Sequence, residues 1–475
     1  MALSEDEKTT LGRLHLKLLR EQRRLQVLNA YYEGEQRVEQ LGLAVPPELR
    51  QFLTIVNWPG TYVDAIEERL DVEGFRLPGS TEADEDLWQV WQENELDEES
   101  QLGHLDALAL KRAFIVVGAG DADSPDAADA DGEAGDRDPA TPLVTVESAS
   151  EVTVELSPRT RRVSAGAKVY VDRDADGGAQ QRATLYLPDV TVWVERRNGR
   201  WEELDRDEHR LGVVPVVPLV NRPRLSKRDG RSQLDRVIHL TDAAARALTN
   251  AQLATEIMAI PQRYVLGASK GDFVDKDGKQ LAAWEAYFGA IWALASKDAK
   301  VGQFTAADLS NFKTIVDHYA SLVAGVTGLP MRYLGQSTTN PPSAEGIRAD
   351  ESRLIKTCER FHRTAGGAWE RAMRLVRRII DGGWNPELAQ LETLWRDPAT
   401  PTRAQQADAA VKLVTAGILP VEAAWEDMGY SAVRRAKLKA LRDAERAADP
   451  VLEIARNLPA GPAAPPVEPA DAVAG

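Results

Sequence analysis

The sequence of 475 residues has one cysteine and six histidines, too few for several common kinds of site. A single cysteine cannot form a disulfide within the chain, which fits a reducing compartment. The histidines form neither a His-x3-His pair nor a Cys–His cluster with the spacing of a zinc site. Cys358 falls among the apolar positions of a helical pattern, so we expect its thiol to be buried.

Basic residues are also in deficit, since 58 Lys and Arg stand against 74 Asp and Glu, a formal net charge of −16. An exposed nucleic-acid clamp is normally basic, so this balance argues against a conventional DNA-binding module. It is compatible with a conduit that touches DNA without holding it. No apolar run is long enough to span a bilayer, and the charged N-terminus lacks the pattern of a signal peptide. We therefore expect no membrane contact.

Motifs for common enzymatic chemistry are missing as well. There is no Gly-x4-Gly-Lys-Ser/Thr phosphate loop and no Gly-x-Ser-x-Gly nucleophile elbow. The run Asp172-Arg-Asp174-Ala-Asp176-Gly177 matches the start of a calcium loop, but Ala183 stands at the twelfth position, where a bidentate Glu is needed. Its strand-like flanks favour a plain β-turn. We predict no catalytic residue, no cofactor and no metal; a metal-dependent hydrolase using these aspartates is the weakest alternative.

The chain is organised around residues 309–381, where two helical patterns flank a connection rich in Gly, Pro and Asn. Spacings of three and four predict an amphipathic helix over Leu309–Thr327, with Gly328 as its C-cap. Its apolar face consists of Leu309, Phe312, Val316, Tyr319, Val323 and Val326. Ser343 is a predicted N-cap for a helix over Ser343–Asp381, roughly 55–60 Å long at about 1.5 Å per residue. Such a helix is more typical of an assembly element than of a compact catalytic domain.

The apolar positions of this long helix recur at nearly seven-residue intervals. They are Ile347, Leu354, Cys358, Phe361, Ala365, Ala368, Ala372, Leu375 and Ile379.

Three helices are predicted in the first part of the chain. The second starts at Asn57-Trp-Pro-Gly, with a short strand after a turn at Gly74, and the third covers about Asp84–Lys111, before a strand at Phe114–Val117. The stretch 121–142, rich in Asp, Ala, Gly and Pro, is predicted to be a disordered loop. The first helix has its apolar stripe at Leu11, Leu14, Leu18, Leu25, Leu28 and Tyr31.

Between residues 143 and 220 the apolar period changes to two, which predicts one antiparallel sheet module. Its strongest hairpin signal is Asn198-Gly199. An alanine-rich helix is predicted over Ser232–Ala259, followed by a compact mixed segment with a strand at Arg263–Leu266. Beyond the long helix we predict a helix over Thr402–Ala416 and a disordered tail at 449–475.

Four stretches follow one another along the chain in an order that resembles one protein family. They are Asn57-Trp-Pro-Gly through Phe75, then Asn221-Arg-Pro with Gly230-Arg-Ser-Gln-Leu234, then Thr327-Gly-Leu-Pro-Met-Arg-Tyr-Leu-Gly335, then Asn340-Pro-Pro-Ser-Ala-Glu345. Their order and spacing resemble the portal proteins of tailed double-stranded DNA bacteriophages, in the branch of siphophages that infect Gram-positive, actinobacterial hosts. The resemblance covers most of residues 5–440.

The resemblance implies an α+β, predominantly helical portal fold that assembles into a ring. Its parts are laid on this chain as a wing at 1–231, a first stem helix at 232–260, a clip at 261–306, a second stem helix at 307–328, a tunnel loop at 329–342, a long wing helix at 343–382, a crown at 383–448 and a disordered tail at 449–475.

The implied function is that of a portal without catalysis of its own. A homo-oligomeric ring, usually a dodecamer, would stand at one capsid vertex of the virion and pass double-stranded DNA inward during packaging and outward during ejection. It would contact the major capsid protein, the scaffold protein, the terminase large subunit and then the head–tail adaptor, after assembly in the host cytoplasm. A helical minor capsid or head–tail adaptor protein is the alternative; it would lack an insertion between two stem helices.

Two sets of candidate residues follow from the resemblance. The arginines in the first set can equally form intersubunit salt bridges instead of touching phosphates. The tunnel-loop set, proposed to contact DNA transiently, is Arg332, Gln336, Ser337, Thr338, Thr339, Asn340 and Arg348. The set on the lumen face of the second stem helix is Lys313, Asp317, His318 and Ser321.

Overall fold

The computed structural model describes residues 3–36, 53–77, 79, 83–120, 141–173, 178–258, 263–267, 300–303, 309–336, 343–399, 403–430 and 432–447. Within these residues helices outweigh strands, and every paired strand is antiparallel, in agreement with the predicted α+β class. The chain divides into two compact units, Met1–Ala399 and Thr400–Gly475. Residues 121–140 of the predicted disordered stretch 121–142, most of the predicted clip and the predicted tail lie outside the described residues.

Helix α1, Glu5–Glu33, is fixed at both ends by its own sequence. Ser4 and Glu7 form a reciprocal capping box at its start, and Gly34 ends it with a φ of 74°. The predicted apolar stripe is buried, as expected. Its first half packs on a five-stranded sheet, and its second half belongs to the main core. The helix therefore joins two hydrophobic clusters.

The region predicted as one helix over Asp84–Lys111 is broken in two, and this prediction was wrong. Asn94 interrupts it because its side chain donates to Val90 O and accepts from Val144 N, both at 2.9 Å, while Glu95 adopts a φ of 52°. The strand predicted after Gly74 includes that glycine, at a bulge. The elements here are α2 Trp58–Glu67, β1 Val72–Arg76, α3 Glu85–Glu93 and α4 Leu96–Leu110.

The alternating segment forms two sheets instead of the single module that was predicted. One has three strands in the order β3-β2-β9, and the other has five in the order β4-β5-β6-β7-β8. The Asn198-Gly199 hairpin is confirmed, since both residues have positive φ between β7 and β8. The strands are β2 Arg112–Gly118, β3 Leu143–Ser148, β4 Val152–Leu156, β5 Val163–Arg173, β6 Ala179–Tyr186, β7 Thr191–Arg197, β8 Arg200–Asp207 and β9 Val216–Val220.

Helix α5, Ile238–Met258, begins later than the predicted Ser232. A 3-10 turn at Leu234–Arg236 precedes it, because the Ser232 hydroxyl accepts from Leu234 N at 3.0 Å and favours a turn there. The predicted strand Arg263–Leu266 is confirmed as β10, paired with β11 Lys300–Gln303. Helix α5 packs on α6, Ser310–Thr327.

Helix α7, Ala344–Asp381, is the predicted long helix, with Ser343 as its N-cap. The interior of the predicted apolar face, from Leu354 to Leu375, is buried. Cys358 lies on this face as expected, and burial raises the pKa of its thiol to about 12. The largest fully buried side chains of the core around α7 are Trp91, Trp369, Tyr62, Phe75 and Phe114.

Strand β12, Glu392–Trp395, pairs with β1, which lies more than 300 residues earlier in the same unit. Residues 383–399, assigned above to a crown, therefore belong to the same compact unit as the helices before them. The second unit contains α8 Arg403–Thr415, α9 Val421–Asp427 and α10 Ala432–Ala447. Inside this unit, Arg442 on α10 pairs with Glu422 on α9 at 2.6 Å.

Candidate functional site

The C-terminal end of α6 is fixed by one of its own side chains, Thr327, and by Arg353 on α7. Gly328 ends the helix with a φ of 84°, and Thr327 Oγ1 accepts from Leu329 N at 3.1 Å. Arg353 on α7 donates to Gly325 O at 2.6 Å, which caps a carbonyl that the helix leaves free. A Cβ on Gly328 would lie 2.7 Å from the Arg353 side chain, so the close approach requires glycine. The turn after α6 is thus fixed against α7.

The 3-10 turn Met331–Leu334 opens the predicted tunnel loop and is anchored by an ionic network. Arg332 forms an ion pair with Glu351 on α7, whose side chain is only 6% exposed. Arg69 lies 3.8 Å from the same carboxylate and donates to the Tyr333 hydroxyl at 3.0 Å. A carboxylate buried between two guanidinium groups fixes the position of the turn.

The sequence could have indicated Glu351, because it stands between Ile347 and Leu354 on the apolar stripe of α7. A carboxylate at a predicted core position requires a partner.

Gln336, of the tunnel-loop set, contacts Asp317, of the stem-helix set. Its amide Nε2 donates to Asp317 Oδ1 at 2.8 Å, so the start of the loop folds back on α6. Asp317 is half-buried, whereas Lys313, His318 and Ser321 are exposed. Arg348, in the first turns of α7, is exposed as well. The remaining candidates, Ser337, Thr338, Thr339 and Asn340, lie outside the described residues.

The apolar face of α6 differs from the predicted one. Ala320 and Val323 are buried against the core, but Leu309 and Val326, both on the predicted apolar face, are 36% and 38% exposed. Ala320 belongs to the main hydrophobic cluster, and α6 packs against the alanine-rich α5. Ile315 and Leu322 are likewise exposed, so one side of α6 presents apolar surface in the single chain.

The acidic run at Asp172 does not have the surroundings of a calcium loop. Asp172 forms an ion pair with Arg182 across the β5–β6 ladder, and Ala183 is buried in β6. Strands on both sides confirm the predicted flanks, and Asp174 and Asp176 lie outside the described residues. Among the residues that the structure describes, no cluster of three or more His, Cys, Asp or Glu side chains is arranged to hold a metal ion. In the same part of the chain, none of the helices combines the length and apolarity needed to cross a membrane.

Comparison with known protein families shows which family the chain belongs to. The sequence profile of the family described as phage portal protein, SPP1 Gp6-like, matches residues 14–450. The chain belongs to this family. Its function is accordingly that of a phage portal protein, and the family predicted from the four sequence stretches is confirmed.

Individual portal proteins agree with this assignment. The chain is 44% identical to the portal protein of Mycobacterium phage D29 over 423 residues, which covers 88% of this chain and 85% of that protein. It is 43% identical to the portal protein of Mycobacterium phage L5 over the same length and shares. These relatives come from phages of mycobacteria, in agreement with the predicted actinobacterial branch.

Among solved structures, a chain from the virion of a native gene transfer agent particle is similar to this portal-family chain with a TM-score of 0.42 and 14% identity. The similarity covers 81% of this chain and 94% of that one. A chain from the neck of an empty gene transfer agent particle has the same TM-score, with 13% identity, covering 82% and 95%.

Proposed function

We propose that the chain forms a closed ring at one capsid vertex, through which double-stranded DNA passes inward during packaging and outward during ejection. The family match over residues 14–450 carries this proposal. Portal proteins are structural components, and we assign this chain no catalytic step. A ring repeats every subunit's charge around its axis, and for this chain of net charge −16 we propose an acidic lumen, which would repel phosphates and favour sliding over tight binding.

The elements of the first unit supply the parts of such a ring. Helices α5 and α6 pack together and are proposed as the two stem helices. The β10–β11 pair stands between them in sequence and is proposed as the base of the clip, where the terminase large subunit and later the head–tail adaptor dock. Helix α7 is the proposed long wing helix, and α8 to α10 are the proposed crown.

The exposed apolar side of α6 supports contact between neighbouring stems. Ile315, Leu322 and Val326 are 43%, 40% and 38% exposed, an apolar stripe that the single chain leaves in water. Packing against the next subunit would cover it. The polar residues Lys313, Asp317, His318 and Ser321 are then proposed to face the channel, and the ring is proposed to be a dodecamer that also contacts the major capsid and scaffold proteins.

The two arginines of the predicted tunnel loop region are placed differently, and we propose different roles for them. Arg332 is held by Glu351 within the same chain, which favours a positioning role for it. Arg348 is exposed, and no described carboxylate lies within ion-pair distance of it. We propose that Arg348, with the polar residues of 336–340, makes the transient contacts with the DNA backbone.

Electron microscopy of the purified chain tests the ring, and packaging tests the loop. Class averages should show rotational symmetry around a hole wide enough for duplex DNA. Shortening residues 336–340 should reduce DNA packaging while rings still form. Shortening the acidic stretch 121–140 by the same length is the matched control and should leave packaging unchanged.

Normal packaging with the shortened loop would refute the loop's role. If the chain in the virion occurs outside a single vertex, the ring assignment fails and the adaptor function takes its place.

A further inference from the structure

A cavity of about 470 Å³ lies where the segment before α5 meets the middle of α7. Its lining is unusually basic for a chain of net charge −16. Besides Asn221, Pro223, Gln233 and Phe361, the walls carry two threonines and five arginines. The arginines are Arg222, Arg224, Arg231, Arg236 and Arg360.

Backbone and amide hydrogen bonds hold the arginine-bearing segment in place. The buried Asn221 donates from Nδ2 to Arg231 O at 2.6 Å, and its own carbonyl accepts from Arg231 N at 2.9 Å. Gln233, also buried, donates to Asn221 Oδ1 at 3.3 Å. The loop is therefore closed on itself, and Arg222, with a φ of 49°, lines the cavity. The basic walls are preorganised by the fold.

The positive charges in the cavity are mostly uncompensated. Asp235 lies 3.5 Å from Arg231, but within the part of the chain that the structure describes no carboxylate lies within ion-pair distance of Arg222, Arg236 or Arg360. Burial lowers the pKa of Arg222, and the charges of Arg236 and Arg360 lower it further. Half-buried cations that repel one another cost free energy unless an anion joins them.

The geometry favours a small phosphate over other anions and over duplex DNA. Guanidinium groups bind phosphate oxygens in bidentate fashion. Several guanidinium groups around one cavity can therefore donate to the oxygens of a tetrahedral anion. Thr357 and Thr364 place hydroxyls on the same wall of α7, where they now donate to carbonyls of their own helix. A duplex is too wide to enter and would reach only the exposed rim at Arg224 and Arg360. Arg236, also in the wall, is half-buried.

We propose that this cavity binds a small phosphate anion, either inorganic phosphate or the polyphosphate group of a nucleotide. Its volume lies within the range of small-molecule sites. Arg222 and Arg236 lie in the segment before α5, whereas Arg360 belongs to α7. A phosphate held among them ties the start of α5 to the long helix and stabilises the first unit against unfolding.

Calorimetric titration of the full chain with inorganic phosphate and with tripolyphosphate tests the proposal, at constant ionic strength and with chloride as the reference anion. Saturable binding and a rise in Tm are expected. Tripolyphosphate binding much tighter than phosphate would identify a nucleotide-type ligand. Arg236→Gln and Arg360→Gln should each weaken binding by about tenfold, because each removes charged donors. Arg363→Gln, an exposed arginine on the same helix outside the cavity, should change nothing.

Three results would overturn the proposal. The first is no binding of either anion to the wild-type chain, and the second is equal weakening by Arg363→Gln. The third is a short DNA duplex, and not phosphate, losing affinity in Arg236→Gln, which would make the cavity a DNA contact. Because Arg360 is exposed, its variant should fold, and its melting curve without phosphate verifies this. If both variants instead abolish ring formation while no anion binds, the arginines pair with acidic groups of a neighbouring copy.

Discussion

Trp369 on α7 donates from its indole Nε1 to Nε2 of His104 on α4 at 3.0 Å, although the two residues lie 265 positions apart. Both side chains are fully buried. Trp91 packs edge-on against Trp369 with ring centroids 4.8 Å apart, and Phe361 packs edge-on against His104. This polar contact inside an aromatic cluster joins the long helix to the sheet-bearing half of the first unit.

Removing the indole donor should destabilise the first unit. Trp369→Phe leaves the buried His104 Nε2 without its donor and creates a small cavity, so we expect a loss of about 2–4 kcal/mol in the free energy of unfolding. Urea denaturation measures it. Trp384→Phe is the control, because Trp384 is 51% exposed and should change stability by less than about 0.5 kcal/mol. Equal losses in both variants would contradict a special role for the buried contact.

Acid should weaken the fold through His104. Burial, with the nearby His362, lowers the pKa of His104 from 6.5 to about 3. In the unfolded chain His104 therefore binds a proton as the pH falls through about 6.5, whereas in the folded chain it stays neutral until about pH 3. The free energy of unfolding should fall as pH falls from about 6.5 toward 3, with a limiting slope of about 1.4 kcal/mol per pH unit for one group.

Denaturation at pH 7.5 and pH 5 separates this contribution from those of other groups. His104→Phe should be less stable at both values, since Trp369 loses its acceptor, but its stability should decline less between them. An unchanged decline would show that His104 is not responsible.

Glu67 should act in the opposite direction, at higher pH. Burial, together with the charges of Asp71, Asp64 and Glu68, raises its pKa to about 7. Its folded pKa exceeds the usual 4.5, so its stabilising contribution is complete below that value and is lost as pH rises through 7. Glu67→Gln should therefore raise the free energy of unfolding more at pH 8 than at pH 5, by a difference on the order of 1 kcal/mol after solvent screening, and Tm should rise accordingly.

Thermal melts at the two pH values measure this effect. Glu98→Gln, at an exposed position of α4, is the matched control and should show no such difference. A gain from Glu67→Gln that is the same at both pH values would rule out the proposed charge repulsion.

Gly230 should not tolerate a side chain. Its φ is 87°, and a Cβ would lie 2.6 Å from Lys111 O and 2.7 Å from Asn221 O. Gly230→Ala should therefore lower the free energy of unfolding by about 3 kcal/mol or more, because the left-handed backbone is strained and the Cβ clashes with two carbonyls. Gly212 is the control because its φ is 73° with no atom within 4 Å, so Gly212→Ala should cost only about 1 kcal/mol. Similar losses in the two variants would show that the close approach is unimportant.

Neutralising Glu351 should release the turn after α6. Glu351→Gln leaves Arg69, whose side chain is 8% exposed, with only the exposed Glu68 at 3.9 Å as a charge partner, at a cost of about 3 kcal/mol. Hydrogen exchange of residues 331–336 should accelerate with the loss of stability. Glu359→Gln removes an exposed pair with Lys356 on the same helix and should cost less than about 0.5 kcal/mol. Unchanged exchange in Glu351→Gln would mean that the network does not anchor the turn.

The sequence by itself determined the elements whose signals are local. Capping residues and apolar periodicity placed α6 and α7 nearly to their ends, periodicity gave the buried stripe of α1, and Asn198-Gly199 fixed a hairpin, because backbone preference and a single buried face are encoded within a few turns. The order of short motifs was also enough to indicate the portal family. Leu309 and Val326 show the limit of this reasoning, since periodicity identifies an apolar face but not whether the same chain covers it.

Tertiary structure decided what depends on partners distant in the chain. The break at Asn94 follows from hydrogen bonds to a strand fifty positions later, and β12 returns to β1 across most of the first unit. The burial of Glu351 required Arg69 and Arg332 to meet it, and the basic cavity required the loop before α5 to meet α7. Such pairings depend on which surfaces pack together, and the free energy of that packing is shared by many residues that no local pattern connects.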